Sequence, residues 1–277
     1  MTKGTAWIIG ASSGLGLATA EAFAADGWLV VSGARSFGAQ ADATPAGGIH
    51  RLNLDVTDEE SRLAFAEEAV RISPRVDALV YCAAVLVLGP CEQTSQGEYA
   101  RVMQTNFLGM TDMVSLALPA MRNQHSGRII LFSSINGLLG IPFQSAYTAS
   151  KHAVEGYAEC LAMEVRAFGV QVSLVEPGDH RGGSQRTRLH GKAMRADSPY
   201  AGAYRSACAV IHRDETGGLS PIALGRKVLK NANRRRMRFR LRVAKPDQRL
   251  MTALHDVLPP ALSFWILRDY YGKGGRA

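Results

Sequence analysis

Short apolar segments alternate with helix-patterned segments for roughly 180 residues, and few architectures accept that rhythm. The strand-like runs are Ala6–Ile9, Trp28–Ser32, Ile49–Leu54, Val76–Cys82, Arg128–Phe132 and Val170–Val175. Val76–Cys82 is apolar without alternation, as expected of a strand in a parallel sheet covered on both faces. Between the runs, apolar residues recur at helical spacing, as at Leu17, Ala20, Phe23 and Ala24. The pattern predicts an α/β fold with an open, doubly wound parallel sheet. At 277 residues the chain suits one large domain with a substantial core.

In such sheets a ligand sits outside the carboxyl ends of the strands. The first strand runs into Gly10-Ala-Ser-Ser-Gly14-Leu-Gly16 and then a helix. Backbone N–H groups at a helix N-terminus and the absence of side chains favour a pyrophosphate there. The second strand ends at Gly33-Ala34-Arg35-Ser36. An acid near this point would hold the ribose of NAD; Arg35 stands instead and suits a 2′-phosphate, hence NADP. Asp55, just past the third strand, either hydrogen-bonds an adenine amino group or serves the fold alone. Thr57 or Asp58 is expected to cap the next helix, with Glu60 as capping-box partner. Cys82–Ala84, Ser134 and Pro177–Gly178 fall at the same edge of the sheet.

The chemistry concentrates in Ser134, Tyr147 and Lys151. Tyr147 and Lys151 lie one helical turn apart on one face, and Ser134 follows a strand that can face them across a cleft. An ammonium beside a phenol lowers a pKa that starts near ~10, which equips Tyr147 to move a proton while Ser134 holds an oxygen. Asn106 is a polar residue in an apolar setting. Either backbone groups satisfy it, or it faces the cleft and holds a water.

Composition excludes several classes. Apolar residues at 47% and charged residues at 20% are ordinary for a soluble globular protein. The net charge of +8 is local: residues 226–249 carry eleven Lys/Arg against one Asp, so the remainder is slightly acidic. Arg236-Met-Arg-Phe-Arg-Leu-Arg-Val243 alternates as a strand with one apolar face and one solvated arginine face, suited to a sheet edge. No aromatics interleave on the arginine face, so no nucleic-acid partner is expected. Cys82, Cys91, Cys160 and Cys208 have no metal-ligand or CxxC spacing and read as buried free thiols in a reducing cytosol; no metal is expected. The N-terminus has no secretory pattern and no run is suited to span a bilayer, so a cytoplasmic location is expected. Residues 179–220 lose periodicity and read as a flap able to close over a substrate. The aromatic tail 258–271 has three roles open to it: covering the protein's own core and pocket, packing on a partner subunit, or peripheral contact with a membrane.

Taken together, Gly10-x-x-x-Gly14-x-Gly16, Asp55-Val56, Asn106, Ser134, Tyr147-x-x-x-Lys151 and Pro177-Gly178 resemble the short-chain dehydrogenase/reductases over residues 5 to about 180. Glu155–Leu161, Phe168-Gly-Val170 and Val175-Glu-Pro-Gly178 resemble more weakly the branch with 17β-hydroxysteroid and retinol dehydrogenases. The resemblance implies a single-domain Rossmann-like fold: a cofactor-binding and catalytic core at 1–178, a variable substrate flap at 179–220, and a C-terminal strand and tail at 221–277. It implies an NADP(H)-dependent oxidoreductase interconverting a ketone or aldehyde and an alcohol, on a lipophilic substrate. A reductase of a polar or carrier-bound 3-oxoacyl substrate is the alternative, and a non-catalytic cofactor-sensing scaffold a further one.

By position, Tyr147 would be the general acid or base. Lys151 would bind the nicotinamide ribose, Ser134 the substrate oxygen, and Asn106 a relay water. Gly10, Ser12, Ser13, Gly14, Leu15, Gly16, Arg35, Asp55, Val56, Ala83, Pro177 and Gly178 would line the cofactor. A homodimer or homotetramer pairing through helices near 100–122 and 148–168 is implied. The family's Asn-Asn-Ala-Gly is here Tyr81-Cys82-Ala83-Ala84, and its threonine after Pro-Gly is replaced by Asp179-His-Arg-Gly-Gly183.

Overall fold

A computed structural model describes residues 2–38, 47–182, 188–191 and 197–272. Strands β1 (Thr5–Ile9), β2 (Leu29–Ala34), β3 (Ile49–Asn53) and β4 (Ala78–Tyr81) alternate with helices α1 (Gly14–Ala25) and α2 (Glu59–Ile72). A two-residue strand β5 (Val87–Leu88) precedes α3 (Gln96–Met103), a π-helical turn at Gln104–Leu108, and α4 (Gly109–Asn123). Then come β6 (Gly127–Phe132), α5 (Ser145–Glu164), β7 (Val170–Pro177), β8 (Leu189–His190), α6 (Ala201–Thr216), α7 (Pro221–Ala232), β9 (Arg240–Val243), α8 (Pro246–His255) and α9 (Pro260–Gly272). Seven strands form one sheet in the order β3-β2-β1-β4-β6-β7-β9, parallel at every pairing. The order reverses between β1 and β4, which opens the crevice expected of a doubly wound sheet.

Both faces are covered, which is why the central strands read as continuous apolar runs. Leu54, Phe65, Met113, Met121, Val154 and Leu161 pack one face beneath α2, α4 and α5. Phe23, Trp28, Leu224 and Val228 pack the other beneath α1 and α7. A side chain at Gly225 would collide with the Ala18 carbonyl, so glycine there permits the close crossing of α7 over α1.

Local signals explain most boundaries. Asp58 caps α2 by accepting from Ser61 N at 2.7 Å. Ser61, not Glu60, occupies the third helical position, so no capping box forms there; the box instead starts α3, between Ser95 and Glu98. The helix expected near 100–122 starts earlier, at Gln96, and carries the π-turn over Asn106. The flap region holds a sixteen-residue helix, α6, together with β8.

The arginine-rich segment joins the sheet at its edge over four residues; Arg236 and Arg238 are exposed as expected, while Arg240 and Arg242 are ion-paired. Arg240 reaches Glu176 at 2.8 Å, Glu159 at 2.6 Å and Glu155; Arg242 Nε donates to Glu176 at 2.7 Å. Glu176 is completely buried. The thiol expectation also needs correction: Cys91 and Cys160 are exposed, Cys82 and Cys208 half-buried, and all four are free. Among the described residues no helix is long and apolar enough to cross a membrane.

Candidate active site

A cavity of about 420 Å³ opens along the carboxyl ends of β1, β2, β4, β6 and β7. Its floor at one end is the glycine turn. Gly10 sits at φ +85°, and a side chain there would meet Ala83 N at 2.5 Å; one on Gly16 would collide with the Gly10 carbonyl. Only glycines fit this tight passage, which leaves the N-terminal amides of α1 accessible for an anion. Ser12, Ser13, Gly14, Leu15, Arg35, Val56, Ala83, Pro177 and Gly178 line the same cavity. The cradle fits a dinucleotide: bare amides and hydroxyls for phosphates, and the Arg35 guanidinium at the rim.

Two predicted positions lie elsewhere. Asp55 is flanked by cavity-lining Leu54 and Val56 but is not itself in the lining; its carboxylate accepts from Thr57 N at 2.9 Å and Thr57 Oγ1 at 2.7 Å. Those bonds, with Arg35 and Arg62 nearby, hold it below the usual carboxylate range against the opposing effect of partial burial. Asn106 is 1% exposed and faces backbone rather than a cleft. It accepts from Val85 N at 2.8 Å and donates to Val85 O and Ser150 Oγ, both at 3.0 Å. The side chain therefore clamps the segment after β4 onto α5. Its neighbour Thr105, in the same π-turn, lines the cavity.

Ser134, Tyr147 and Lys151 do meet at the far end. Ser134 follows β6, where its hydroxyl accepts from Asn136 N at 3.2 Å. Tyr147 stands in the first turn of α5, and Lys151 one turn on, its ammonium 5.5 Å from the phenol ring centre. Lys151 Nζ donates to the Phe132 carbonyl at 2.6 Å. Burial pulls its pKa down to about 8. Burial likewise pushes Tyr147 up to about 12, with Glu215 and Asp179 adding to the rise and the Ser134 hydroxyl opposing it. Without ligand the phenol is thus a loaded proton donor rather than a phenolate.

A stability consequence follows from Lys151. Its folded pKa lies below the unfolded value, so the folded state binds fewer protons between about pH 8 and 10.5 and stability rises with pH across that window. Compared with Lys151→Met, the unliganded wild type should gain about 2 kcal/mol between pH 8 and 10 in urea unfolding. A flat difference would mean that Lys151 is not desolvated.

The rest of the wall comes from the segment expected to form a flap and from the C-terminal tail. Asp179 and His180 follow β7, Ile211, Asp214 and Glu215 come from the last turns of α6, and Tyr271 from α9. All but Tyr271 fall in the 179–220 segment expected to close over a substrate, and Tyr271 in a tail with pocket-covering among its open roles.

Residues 4–191 match the family model described as short chain dehydrogenase. A relative from Bacteroides thetaiotaomicron, 3-ketodihydrosphingosine reductase, is 34% identical over 264 residues, covering 95% of this chain and 96% of its own. The human 17-beta-hydroxysteroid dehydrogenase type 1 is 38% identical over 189 residues, 64% of this chain and 57% of that protein. A short chain dehydrogenase/reductase from Burkholderia phymatum, solved in complex with NAD, superposes with a TM-score of 0.78 at 26% identity, covering 92% of this chain and 94% of that one.

Proposed function

The chain belongs to the short-chain dehydrogenases, and from that premise we propose that it is an NADP(H)-dependent oxidoreductase interconverting a ketone and an alcohol on a lipophilic substrate. The observation that carries this reading is one cavity lined both by the glycine turn and by Ser134, Tyr147 and Lys151. The lipophilic part is supported by Leu86, Ile141, Ile211 and Tyr271 in the wall, and by relatives named for a ketodihydrosphingosine and a hydroxysteroid.

The α1 amides with Ser12 and Ser13 would hold the pyrophosphate end of the cofactor, Arg35 a 2′-phosphate, and Lys151 the ribose near the reacting end. Bound nicotinamide supplies or takes up a hydride at the substrate carbon. Ser134 holds the substrate oxygen. Tyr147 donates its proton to that oxygen during reduction, while the enclosed wall keeps water from competing. The Lys151 ammonium, 5.5 Å from the Tyr147 ring centre, would favour proton loss from the phenol in the reverse direction. Asn106 enters as a positioning residue that fixes α5, on which Tyr147 and Lys151 stand.

The NADP preference is tested by fluorescence titration with NADPH and NADH. NADPH should bind at least 10-fold tighter, and Arg35→Ala should remove most of that difference, since a charged hydrogen-bonded contact contributes about 1.5–3 kcal/mol. Equal affinities in the wild type would overturn the preference and leave the reductase reading standing. Turnover of a panel of lipophilic and polar ketones with NADPH tests the reaction. Pairing of subunits through α4 and α5 belongs to the same reading, supported by exposed Leu108 in the π-turn leading into α4 and exposed Met163 on α5.

A further inference from the structure

Between Thr216 and Pro246 the chain carries ten Lys/Arg and no Asp or Glu. Of these, Arg240 and Arg242 pair with buried Glu176, and Lys245 is half-buried. Arg226, Lys227 and Lys230 stand exposed on the outer face of α7, whose inner face packs Leu224 and Val228 over α1 and the sheet. Arg226 and Lys230 lie one turn apart, in line with exposed Ile222. Arg234, Arg235, Arg236 and Arg238 follow, also exposed, in the turn before β9. The first three of that turn line by themselves an open surface cleft of about 640 Å³. Among the described residues none of these seven exposed cations has an ion-pair partner. The acids of adjoining α1 do not offset them: Asp26 is taken by Lys3 and Asn233, and Glu21 pairs with none of them.

A turn that merely carries solvated charge has no need of a fixed backbone, yet this one is fixed from below. Gln171 of β7 donates to the Arg235 carbonyl at 3.0 Å and accepts from Met237 N at 2.7 Å. Buried Asn231 accepts from Arg238 N at 2.9 Å. Asn231 and buried Ser173 both donate to the Arg238 carbonyl, at 3.1 and 2.8 Å. The backbone is therefore held in place while the cations above it repel one another without relief. A surface kept in that state is arranged in advance for a partner that brings many negative charges.

We propose that the outer face of α7 and the arginine turn after it dock the protein on an anionic lipid surface. The cations run along about 9 Å of helix and on into the turn, which is wider than one free phosphate needs. Residues 216–238 contain no aromatic side chain, so a nucleic-acid base would have no ring to stack on. The cleft offers guanidinium groups alone, without the apolar centre of a protein–protein interface. Ile222, 56% exposed, adds an apolar contact in line with the cations, which suits a layer of headgroups over acyl chains. The arginine turn lies at the amino end of β7, the opposite end of the sheet from the cavity. Lipid bound there leaves the cavity open to substrate.

The test is sedimentation with vesicles of equimolar phosphatidylcholine and phosphatidylglycerol, set against vesicles of phosphatidylcholine alone. The wild type should bind the anionic vesicles at least about 10-fold more tightly, and that binding should fall steeply between about 50 and 300 mM salt. The triple variant Arg234→Ser/Arg235→Ser/Arg236→Ser should lose about 100-fold of that affinity, roughly fivefold per arginine, with its Tm within about 2 °C of the wild type. Arg226→Ser/Lys230→Ser, on the helix rather than the turn, should lose about 25-fold by the same count. Equal binding to both vesicles, binding to neither, or undiminished binding by both variants overturns the lipid face. So does tighter binding to a duplex oligonucleotide than to the anionic vesicles at equal phosphate, which would assign the face to nucleic acid. Binding is read without turnover, so each of these outcomes leaves the oxidoreductase reading standing.

Discussion

Tyr147→Phe is expected to lower turnover roughly 10²- to 10⁴-fold while NADPH binding stays within a factor of about two. The substitution deletes one oxygen and keeps the ring that packs among Leu86, Leu88 and Phe143. Burial keeps the phenol protonated well above neutral pH, and Glu215 and Asp179 reinforce this. Such a group is suited to giving a proton, so ketone reduction should run level through pH 7–8 while alcohol oxidation climbs with pH. Steady-state rates in both directions, with a cofactor titration of the variant, check the expectation. Turnover unchanged in Tyr147→Phe would remove the phenol from the chemistry altogether.

The second large effect concerns stability. Arg240→Met should destabilise the fold by about 3–5 kcal/mol at pH 8, because it strands carboxylates that have left water. Glu176 is fully buried and Glu155 nearly so, and Arg240 bridges both while itself remaining 35% exposed. Burial already raises the Glu155 carboxyl, and Arg240 is among the groups holding it down. Without that arginine the carboxyl rises further, and a carboxyl raised in the folded state makes stability fall as pH rises. The deficit of Arg240→Met against the wild type should therefore shrink between pH 8 and 5 in urea unfolding. A deficit below about 1 kcal/mol at pH 8 would mark the cluster as an ordinary surface pair.

What the sequence made legible was whatever lies within a few turns of chain. The glycine turn and the Tyr147–Lys151 spacing are local patterns, and both occur where expected. The edge strand was legible as an alternation of arginines, yet its meaning was not, because Glu155 and Glu176 stand 85 and 64 positions away from Arg240. Arg236 and Arg238 are exposed, as the alternation suggested; Arg240 and Arg242 pair with glutamates instead. Asn106 was left between two readings, and a backbone partner at Val85, 21 positions away, decides its side chain. The substrate wall was hardest to see. It is assembled from single residues of the β7 exit, α6 and α9, none carrying a pattern by itself.

The C-terminal third has a consequence for how the protein is made. The Arg128 guanidinium donates to the Ala232 carbonyl, and Asn233 donates to Asp26 at 2.8 Å across 207 positions. During synthesis the ribosome delivers β1 to β7 well before α7 and β9. The nascent sheet must then wait with the part of one face that α7 covers bare and the β7 edge unpaired, a state prone to sticking to its neighbours. Pairings this distant in sequence form slowly. The segment from α7 to β9 acts as the closing half of a clasp, so the sheet is sealed in one late step rather than by gradual growth.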